Sequence, residues 1–425
     1  MLQSTLFGKT QKQPPRDEVS LNARLLTQAG FIDKVTAGAY TYLPLGLAVL
    51  NNVKQIVREE MAAIGGQELL MPALQPKELW EKTGRWTDPG PEVMFQFEGR
   101  SDRQYGLGWT HEEVITPLVK KFVSSYKDLP LYLYQIQDKF RNEPRAKSGL
   151  LRGIEFSMKD LYSFHRDEQD LEAYYQRALQ AYLRIFQRCG LEAIVTEASG
   201  GSFSKYSHEF QVLTPYGEDV IYHCVQCGYA QNREVTQLMT GAACPKCDGS
   251  IAEGKAIEVG NIFQLKTKYA VPFKLEYVDA DGTSKPVMMG CYGIGPSRVM
   301  GTAVEVHHDD RGIIWPESIA PFRAHLLQLG SSSAVAKRAL LVYHKLSSRG
   351  ISTLFDDRPD VTAGVKFADA DLIGIPYRLV VSEKTKANVE LKPRRGQTST
   401  LVNQTKLLAA LKGKGGELGK QRNVS

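Results

Sequence analysis

Nowhere in the 425 residues does an apolar run approach the roughly 18 residues needed to cross a bilayer. The opening stretch, MLQSTLFGKTQKQPPRDEV, has neither an apolar h-region nor a small-residue cleavage site. That predicts a chain without a secretory leader, no membrane partner and a cytoplasmic place of work. Cysteine is scarce: Cys189, Cys224, Cys227, Cys244, Cys247 and Cys291 are all there are. They are too sparse for the disulfide framework of a small secreted domain. There is no internal repeat, no GxxxxGK[ST] loop, and no GxGxxG opening a βαβ unit with an acidic partner downstream. These absences set aside membrane proteins, disulfide scaffolds, P-loop NTPases and Rossmann enzymes. What remains is a globular chain long enough for two or three domains with a real core.

The charge that is present is unevenly placed. The whole chain carries +6, yet from Arg378 onward eleven Lys and Arg face only Glu383, Glu390 and Glu417, a local +8. Such an end suits a polyanion such as RNA; charge alone equally fits a solvated basic face.

Periodicity organises the rest. Apolar positions Leu47, Leu50, Val53, Ile56, Val57, Met61 and Ile64 predict a helix over 45–64. It stops at Gly65-Gly66 and is followed by a short strand, QELLM, ending at Pro72. A helix is expected over 112–126, a strand over 131–141, a returning strand over 154–164 and a long amphipathic helix over 167–189. Residues 218–256 look like a small insertion. After about residue 320 the pattern becomes β-α-β-α-β, with strands AHLLQLG, ISTLFDD and YRLVVS, predicting a compact, mostly parallel α/β domain. The tail from Gly413 reads as disordered.

Two segments carry chemistry. Arg141 and Glu143 end one expected strand, and Arg152, Phe156 and Asp160 follow at intervals of four on the next. Alternation places each set on one strand face. Guanidinium forks match phosphate oxygens, an aromatic plate stacks on a base, and a carboxylate accepts an amino group, so the set could bind ATP. A solvated hairpin with ordinary ion pairs is the plainer alternative. The second segment, Gly290-Cys291-Tyr292-Gly293-Ile294-Gly295-Pro296-Ser297-Arg298, runs into an expected helix at 296–305. Its glycines permit close backbone approach, and its arginine sits where it can meet a terminal phosphate.

FRxE, then R-x3-F-x3-D, then a Gly-rich segment ending in arginine resembles motifs 2 and 3 of the class II aminoacyl-tRNA synthetases. The helix, strand and Pro72 upstream resemble motif 1. TAGAYTYLPLGLAVLNNV, EFSMKDLYSFH, SHEFQVL, VGNIFQLKTKYA, MGCYGIGPSR, RGIIWPESIAPF and FADADLIGIP together resemble the bacterial-type prolyl-tRNA synthetases over about residues 5–412. The resemblance implies an α+β chain: an antiparallel-sheet catalytic domain over 1–320, with 218–256 inserted, then an α/β anticodon-binding domain over 321–412. It implies activation of L-proline by ATP with Mg2+, transfer of the prolyl group to tRNA(Pro), and a homodimer built on motif 1. Arg141 would hold the α-phosphate, Glu143 the adenine amino group and Phe156 the adenine ring, with Arg152 and Arg298 on the outer phosphates. Thr110 and Glu112, in a T-x-E loop, would bind the proline nitrogen, with His208 lining the pocket. Arg145 and Lys147 would meet the tRNA acceptor stem, and Glu209 is a candidate for the magnesium. Two segments depart from the family pattern: Phe203-Ser204-Lys205-Tyr206 stands where glycines and small residues are usual, and the motif 2 loop reads Pro144-Arg145-Ala146-Lys147. Threonine, serine, glycine and histidine synthetases share the ATP motifs, and an inactive synthetase-like RNA-binding protein would share the fold. Pyrophosphate exchange with different amino acids separates all of these.

Cys224-x2-Cys227 and Cys244-x2-Cys247, sixteen residues apart, match a closed four-thiolate zinc site. Four free thiols on a surface loop are the alternative. In the common bacterial prolyl enzymes a large editing domain lies between motifs 2 and 3; here that stretch holds little beyond the cysteines. The expectation is an enzyme that depends on a separate deacylase acting in trans.

Overall fold

The computed structural model describes residues 1–412 except Arg16, Asp17, Arg145, Lys147, Ser202 and Lys205, with Tyr206 described by its backbone alone. The expected tail over 413–425 and the expected acceptor-stem residues Arg145 and Lys147 lie outside the described residues. The chain divides into two compact units. One comprises Lys34–Tyr40 and Val53–Val306; the other comprises Met1–Asp33, Thr41–Asn52 and His307–Ser425. This division differs from a linear cut at residue 320, because the N-terminal arm packs within the second unit.

The main sheet of the first unit has nine strands: β1 (Gln67–Glu68), β2 (Leu131–Phe140), β3 (Glu155–His165), β4 (Ala193–Ser199), β5 (Tyr206–Leu213), β6 (Asp219–Cys224), β7 (Ala230–Asn232), β8 (Ile251–Lys266) and β9 (Met288–Ile294). Their order across the sheet is β5-β4-β7-β6-β8-β9-β3-β2-β1, and β5 also pairs with β8. Most pairings are antiparallel; β1–β2 and β4–β7 are parallel. Strand β8 pairs with β9 along one edge and is long enough to serve two partners along the other. Its first half pairs with β6, Cys224 opposite Ile251, and its second half pairs with β5, Ser207 opposite Phe263. The expected insertion at 218–256 is therefore woven into the sheet through β6, β7 and the start of β8, and its longest stretch outside these strands is 233–250.

One face of this sheet is covered by the helix Glu168–Arg188, close to the expected 167–189. Asp167 caps it, its side chain accepting from Asp170 N, and Arg188 lies in its last turn, complementing the helix dipole. Leu171, Tyr174, Tyr175, Ala178, Leu179, Tyr182, Ile185 and Phe186 form its buried stripe. Tyr182 and Phe186 pack on Phe210 of β5 at 5.1 and 5.4 Å between ring centroids, and Tyr174 meets Tyr292 of β9 at 5.8 Å. Each such fully buried ring is worth about 1.5–3 kcal/mol of apolar transfer.

Two expected elements are shorter than their apolar patterns suggest. The helix starting at Glu112 ends at Val119 rather than 126. Beyond it, the Asp128 carboxylate takes the backbone N–H groups of Ser124 and Ser125 at 2.9 and 2.8 Å, favouring a capped turn over a continuing helix. In QELLM only Gln67–Glu68 is strand, because Met71 N donates to the Gln135 side chain, 3.0 Å, instead of to a neighbouring backbone.

The second unit carries a five-stranded sheet: β10 (Ala324–Leu329), β11 (Thr353–Asp356), β12 (Tyr377–Ser382), β13 (Val389–Pro393) and β14 (Thr400–Val402), ordered β11-β10-β12-β13-β14. Strand β10 is parallel to both β11 and β12, as the β-α-β-α-β pattern requires, and β13 and β14 extend the sheet antiparallel. The N-terminal arm adds to the β11 edge. Gln3 N donates to Phe355 O at 2.7 Å, the Gln3 side chain meets His325 Nε2 at 2.7 Å, and Ser4 Oγ donates to Asp357 at 2.7 Å. Among the described residues no helix is long and apolar enough to cross a membrane.

Candidate active site

The hairpin β2–β3 sets the frame of the site. Its register puts Lys139 opposite Phe156 and Gln135 opposite Asp160. Strand β9 then pairs Gly293 with Asp160, and β8 pairs Asn261 with Gly293, so one row crosses three strands. A cavity of about 230 Å³ opens over it. Phe156, Met158 and Asp160, alternate residues of β3, all line it, as strand alternation requires. Gly293 lines it too, and a Cβ there would find no protein atom nearer than 3.8 Å. Packing does not demand that glycine; the space above it is kept for something else.

Around the cavity the side chains fall into two contact groups. In the first, Arg141 lies over the Phe156 ring at 5.1 Å. Burial and the nearby Arg298 guanidinium push the Arg141 pKa down to about 10, so it remains a cation at neutral pH. Its Nε is buried without a protein partner. A buried guanidinium with a spare donor is an anion site in waiting, since an unmet buried donor costs about 1–3 kcal/mol. Arg298, in the first turn of the helix Pro296–Val306, is held by Leu151 O at 2.7 Å and by the Glu258 carboxylate at 3.0 Å. Arg152 pairs with Glu143 at 3.1 Å and Glu218 at 3.2 Å. It follows a short helical turn and lies outside β3, so its place comes from the loop rather than from strand alternation.

The second group surrounds Thr110, Phe203, Phe263 and Cys291, which also line the cavity. Thr110 Oγ1 donates to Glu112 Oε2 at 2.6 Å, and the Cys291 thiol donates to Glu112 Oε1 at 3.3 Å. Glu112 itself is fully buried, directly behind these two lining residues. Phe203, from the segment that departs from the family pattern, packs on Phe263 at 4.8 Å and edge-on to Trp109 at 5.9 Å.

His208 is a correction. It does not line the cavity: its Nδ1 meets the Tyr175 hydroxyl at 2.7 Å, on the face covered by the helix Glu168–Arg188. The reason is strand parity. His208 and Phe210 share one face of β5, and Glu209 takes the other. Glu209 accepts from Gln211 at 2.8 Å and Asn232 at 3.0 Å, and burial together with the Glu258 charge pushes its pKa up to about 8.

Sequence reasoning missed several residues that the fold brings to this place. Asn261 and Phe263 lie on β8, in the segment VGNIFQLKTKYA that carries part of the family resemblance but was given no site role. Lys139, His111 and Tyr162 form a buried network beneath the cavity, and Arg85 backs the second group. Arg85, His111 and Lys139 sit among other polar residues and Asn261 within an apolar strand, and single-sequence reading does not separate any of them from a solvated edge.

The four cysteines come together apart from the cavity. Their sulfur atoms all lie within 4.8 Å of one another, Cys224 to Cys247 at 3.5 Å and Cys227 to Cys244 at 3.7 Å. Backbone N–H groups of Gln226, Lys246 and Gly249 point at the sulfurs of Cys224, Cys244 and Cys247 at 3.3–3.4 Å. Such donors favour thiolates, and the sulfur spacing suits a tetrahedral ion. In the second unit, Arg358 forks onto Asp356 at 2.8 and 2.7 Å, and buried Lys366 donates to Gln328 O at 2.8 Å.

Comparison with known proteins gives a consistent picture. Residues 95–307 match the tRNA synthetase class II core domain (G, H, P, S and T), and residues 319–414 match an anticodon binding domain. The chain is 34% identical to a proline–tRNA ligase of Dehalococcoides mccartyi, with 95% of this chain and 97% of that protein covered. It is 35% identical to one of Exiguobacterium sibiricum, with 97% and 99% covered. These alignments run over 552 and 561 positions, against 425 residues here, so well over a hundred positions of each have no counterpart in this chain. Among solved structures, a Giardia lamblia prolyl-tRNA synthetase in complex with prolyl-adenylate superposes with a TM-score of 0.76 at 20% identity, covering 91% of this chain and 75% of that one. A Cryptosporidium parvum prolyl-tRNA synthetase complexed with halofuginone and AMPPNP gives 0.76 at 17% identity, covering 92% and 76%.

Proposed function

The chain belongs to the prolyl-tRNA synthetases of class II, and from that premise we propose how its residues divide the reaction. It is a proline–tRNA ligase. The proline carboxylate attacks the α-phosphorus of ATP, pyrophosphate leaves, and a terminal ribose hydroxyl of tRNA(Pro) then displaces AMP from the prolyl carbonyl. Chemistry of this kind needs positioning and charge stabilisation more than a protein nucleophile.

The observation that carries our assignment is the unpartnered, buried Nε of Arg141 facing a cavity that also holds Phe156 and Arg298. In our reading Arg141 binds the α-phosphate and meets the charge that grows there as the bond to pyrophosphate breaks. Phe156 stacks on adenine, Glu143 accepts its amino group, and Arg152 and Arg298 hold the outer phosphates. Thr110 and Glu112 receive the secondary ammonium of proline across the row where Gly293 leaves room. Magnesium, when bound with ATP, would neutralise phosphate charge; Glu209 is our candidate to meet it, as a carboxylate that would give up the proton favoured by burial and by Glu258 once a cation's charge is beside it. Arg141→Ala and Arg298→Ala should each lower proline-dependent pyrophosphate exchange on the order of a hundred- to a thousandfold. Normal exchange in both folded variants would remove the assignment.

We assign one structural zinc to Cys224, Cys227, Cys244 and Cys247. The expected result is one zinc per chain by elemental analysis, with a chelator lowering the melting temperature. Metal-free protein with four readily alkylated thiols would contradict this. We also propose a homodimer, the usual twofold solution for such a chain, with the helix Pro44–Ala63 and the strand after it as the motif 1 interface. Sedimentation of a fully active monomer at micromolar concentration would overturn it.

Between β5 and β8 the chain has room for the cysteine knuckle and little else, too few residues to bury a hydrolytic pocket. Alanine, smaller than proline, enters any proline site, and the pocket rejects it only through lost contact, about 1–3 kcal/mol per methylene. We propose that the enzyme forms some alanyl-tRNA(Pro) and leaves its removal to a separate deacylase. Purified enzyme incubated with preformed alanyl-tRNA(Pro) should not exceed the spontaneous rate of hydrolysis; clear acceleration would send the search for an editing site back to the knuckle.

A further inference from the structure

Behind the second contact group lies a cation that the reaction scheme above does not use. Arg85 is 5% exposed and follows the short helix Lys77–Glu81. Its Nη1 donates to Glu112 Oε2 at 3.2 Å and to both oxygens of Glu113 at 3.0 and 3.2 Å. Four rings enclose the guanidinium: Trp109 at 4.2 Å, Phe203 at 5.1 Å, Trp80 at 5.3 Å and Tyr269 at 5.4 Å. Trp109 and Phe203 in turn border the cavity residue Thr110 in sequence and the cavity itself, respectively.

Two features separate this arrangement from an ordinary buried brace. First, Nε and Nη2 of Arg85 are buried without a hydrogen-bond partner and face aromatic surface. A brace selected for stability alone would satisfy them, because each unmet donor costs about 1–3 kcal/mol. Second, the charges do not balance. One guanidinium serves two fully buried carboxylates, Glu112 and Glu113. Other groups face the pair from neighbouring elements without an ion-pair contact to it: Lys139, itself paired with Asp160 at 2.8 Å, and the cations Arg141 and Lys268; His111, Tyr162, Tyr269 and Cys291 are held neutral by burial, and Thr83 Oγ1 donates to Glu113 at 2.8 Å. With both carboxylates ionised, the contact group of Arg85, Glu112 and Glu113 carries one net negative charge next to the cavity. A secondary ammonium is the charge that completes it.

We propose that Arg85 is the positioning residue of the amino-acid subsite: anchored by Glu113 and boxed by four rings, it fixes the Glu112 carboxylate to receive a cationic amine. This rests on the assignment of Glu112 to the proline nitrogen. Arg85 touches no substrate; it acts through Glu112, and it also stiffens the Trp109–Phe203 wall by stacking. Glu113 is its counterweight. Burial raises the Glu113 pKa, Arg85 opposes that and Glu112 adds to it, leaving it at about 7. Prolinium is fully charged across this range and favours the ionised carboxylate. Proline affinity should therefore rise as pH climbs through that value and fall as Glu113 takes up its proton.

The test is proline-dependent pyrophosphate exchange by the full chain between pH 5.5 and 8.5, with KM for proline and for ATP measured separately. Arg85→Met should raise KM for proline on the order of a hundredfold while leaving KM for ATP within about twofold. Arg85→Lys, which keeps the charge and loses the fork, should recover part of that loss. Wild-type kcat/KM for proline should increase about tenfold per pH unit below the Glu113 titration, and Glu113→Gln should flatten the profile. An unchanged proline KM in Arg85→Lys with a lowered melting temperature would make Arg85 a structural brace only. Equal rises in both KM values, or a pH profile untouched by Glu113→Gln, would also overturn the proposal; these two variants keep it testable should Arg85→Met not fold. Glu112→Gln with normal proline KM would instead show that the underlying assignment of Glu112 has failed.

Discussion

The cavity floor stands on one buried ion pair. Lys139 Nζ lies 2.8 Å from Asp160, both residues are nearly inaccessible, and His111, between Thr110 and Glu112 on the amino-acid side of the site, hangs from them. Asp160 also accepts from Gln135 and from the Tyr162 hydroxyl, each at 3.0 Å. Burial alone would raise the Asp160 pKa; Lys139, His111 and these hydrogen bonds outweigh it and leave the carboxyl below its usual range. His111 is driven the other way, to about 4, by burial and by Lys139, so it is neutral at physiological pH. Its Nδ1 faces the Lys139 ammonium at 2.8 Å, and its Nε2 then carries the hydrogen that Pro72 O accepts at 3.1 Å. Its backbone N–H donates to the Tyr162 hydroxyl at 3.1 Å. Thr110 and Glu112 flank His111, so the network fixes the residues on either side of it. Removing one member of such a pair strands a buried charge, typically at 3–5 kcal/mol.

The first unit thus has a division of labour between apolar and polar packing. The helix Glu168–Arg188 seals one sheet face with aromatic rings and supplies much of the burial. The opposite face is left open over the row Asp160, Gly293 and Asn261, and its rigidity comes from charge-assisted hydrogen bonds. The glycine of that row has no packing reason to be a glycine. Its meaning emerges only when two neighbouring strands are seen to place a carboxylate and an amide beside an empty space.

Much of this was legible in the residues, for reasons of locality. The β2–β3 hairpin, the helix over 168–188 and the parallel core β10, β11 and β12 each follow from a local period that tertiary contacts reinforce. The four cysteines announce their convergence by spacing. Arg141, Phe156 and Arg298 were readable because each sits in a short motif with its own geometry. What stayed hidden depends on long-range registration. His208 was placed in the pocket from its motif, but the parity of β5 turns it toward Tyr175. Arg152 owes its position to a loop rather than to the strand alternation first invoked. Arg85, the Lys139 network and Asn261 are joined to the site across tens to hundreds of residues, and no local pattern distinguishes them from polar residues at a solvated surface.

The knuckle has a consequence beyond metal binding. Its longer part leaves the sheet after Asn232 of β7 and returns at Ile251; Asn232 pairs with Ile221 and Ile251 with Cys224, so both ends are held on β6. An excursion whose ends are already stapled can change length with little effect on what lies beneath it, because doubling a loop costs only about 0.6 kcal/mol in closure entropy. The ladder register, and with it Glu258 and Asn261 further along β8, is held by the pairings of β8 with β6, β5 and β9, none of which involves the excursion. The architecture therefore contains a splice port: a place where a module could be carried, trimmed or exchanged over evolutionary or engineering time while the catalytic scaffold keeps its coordinates.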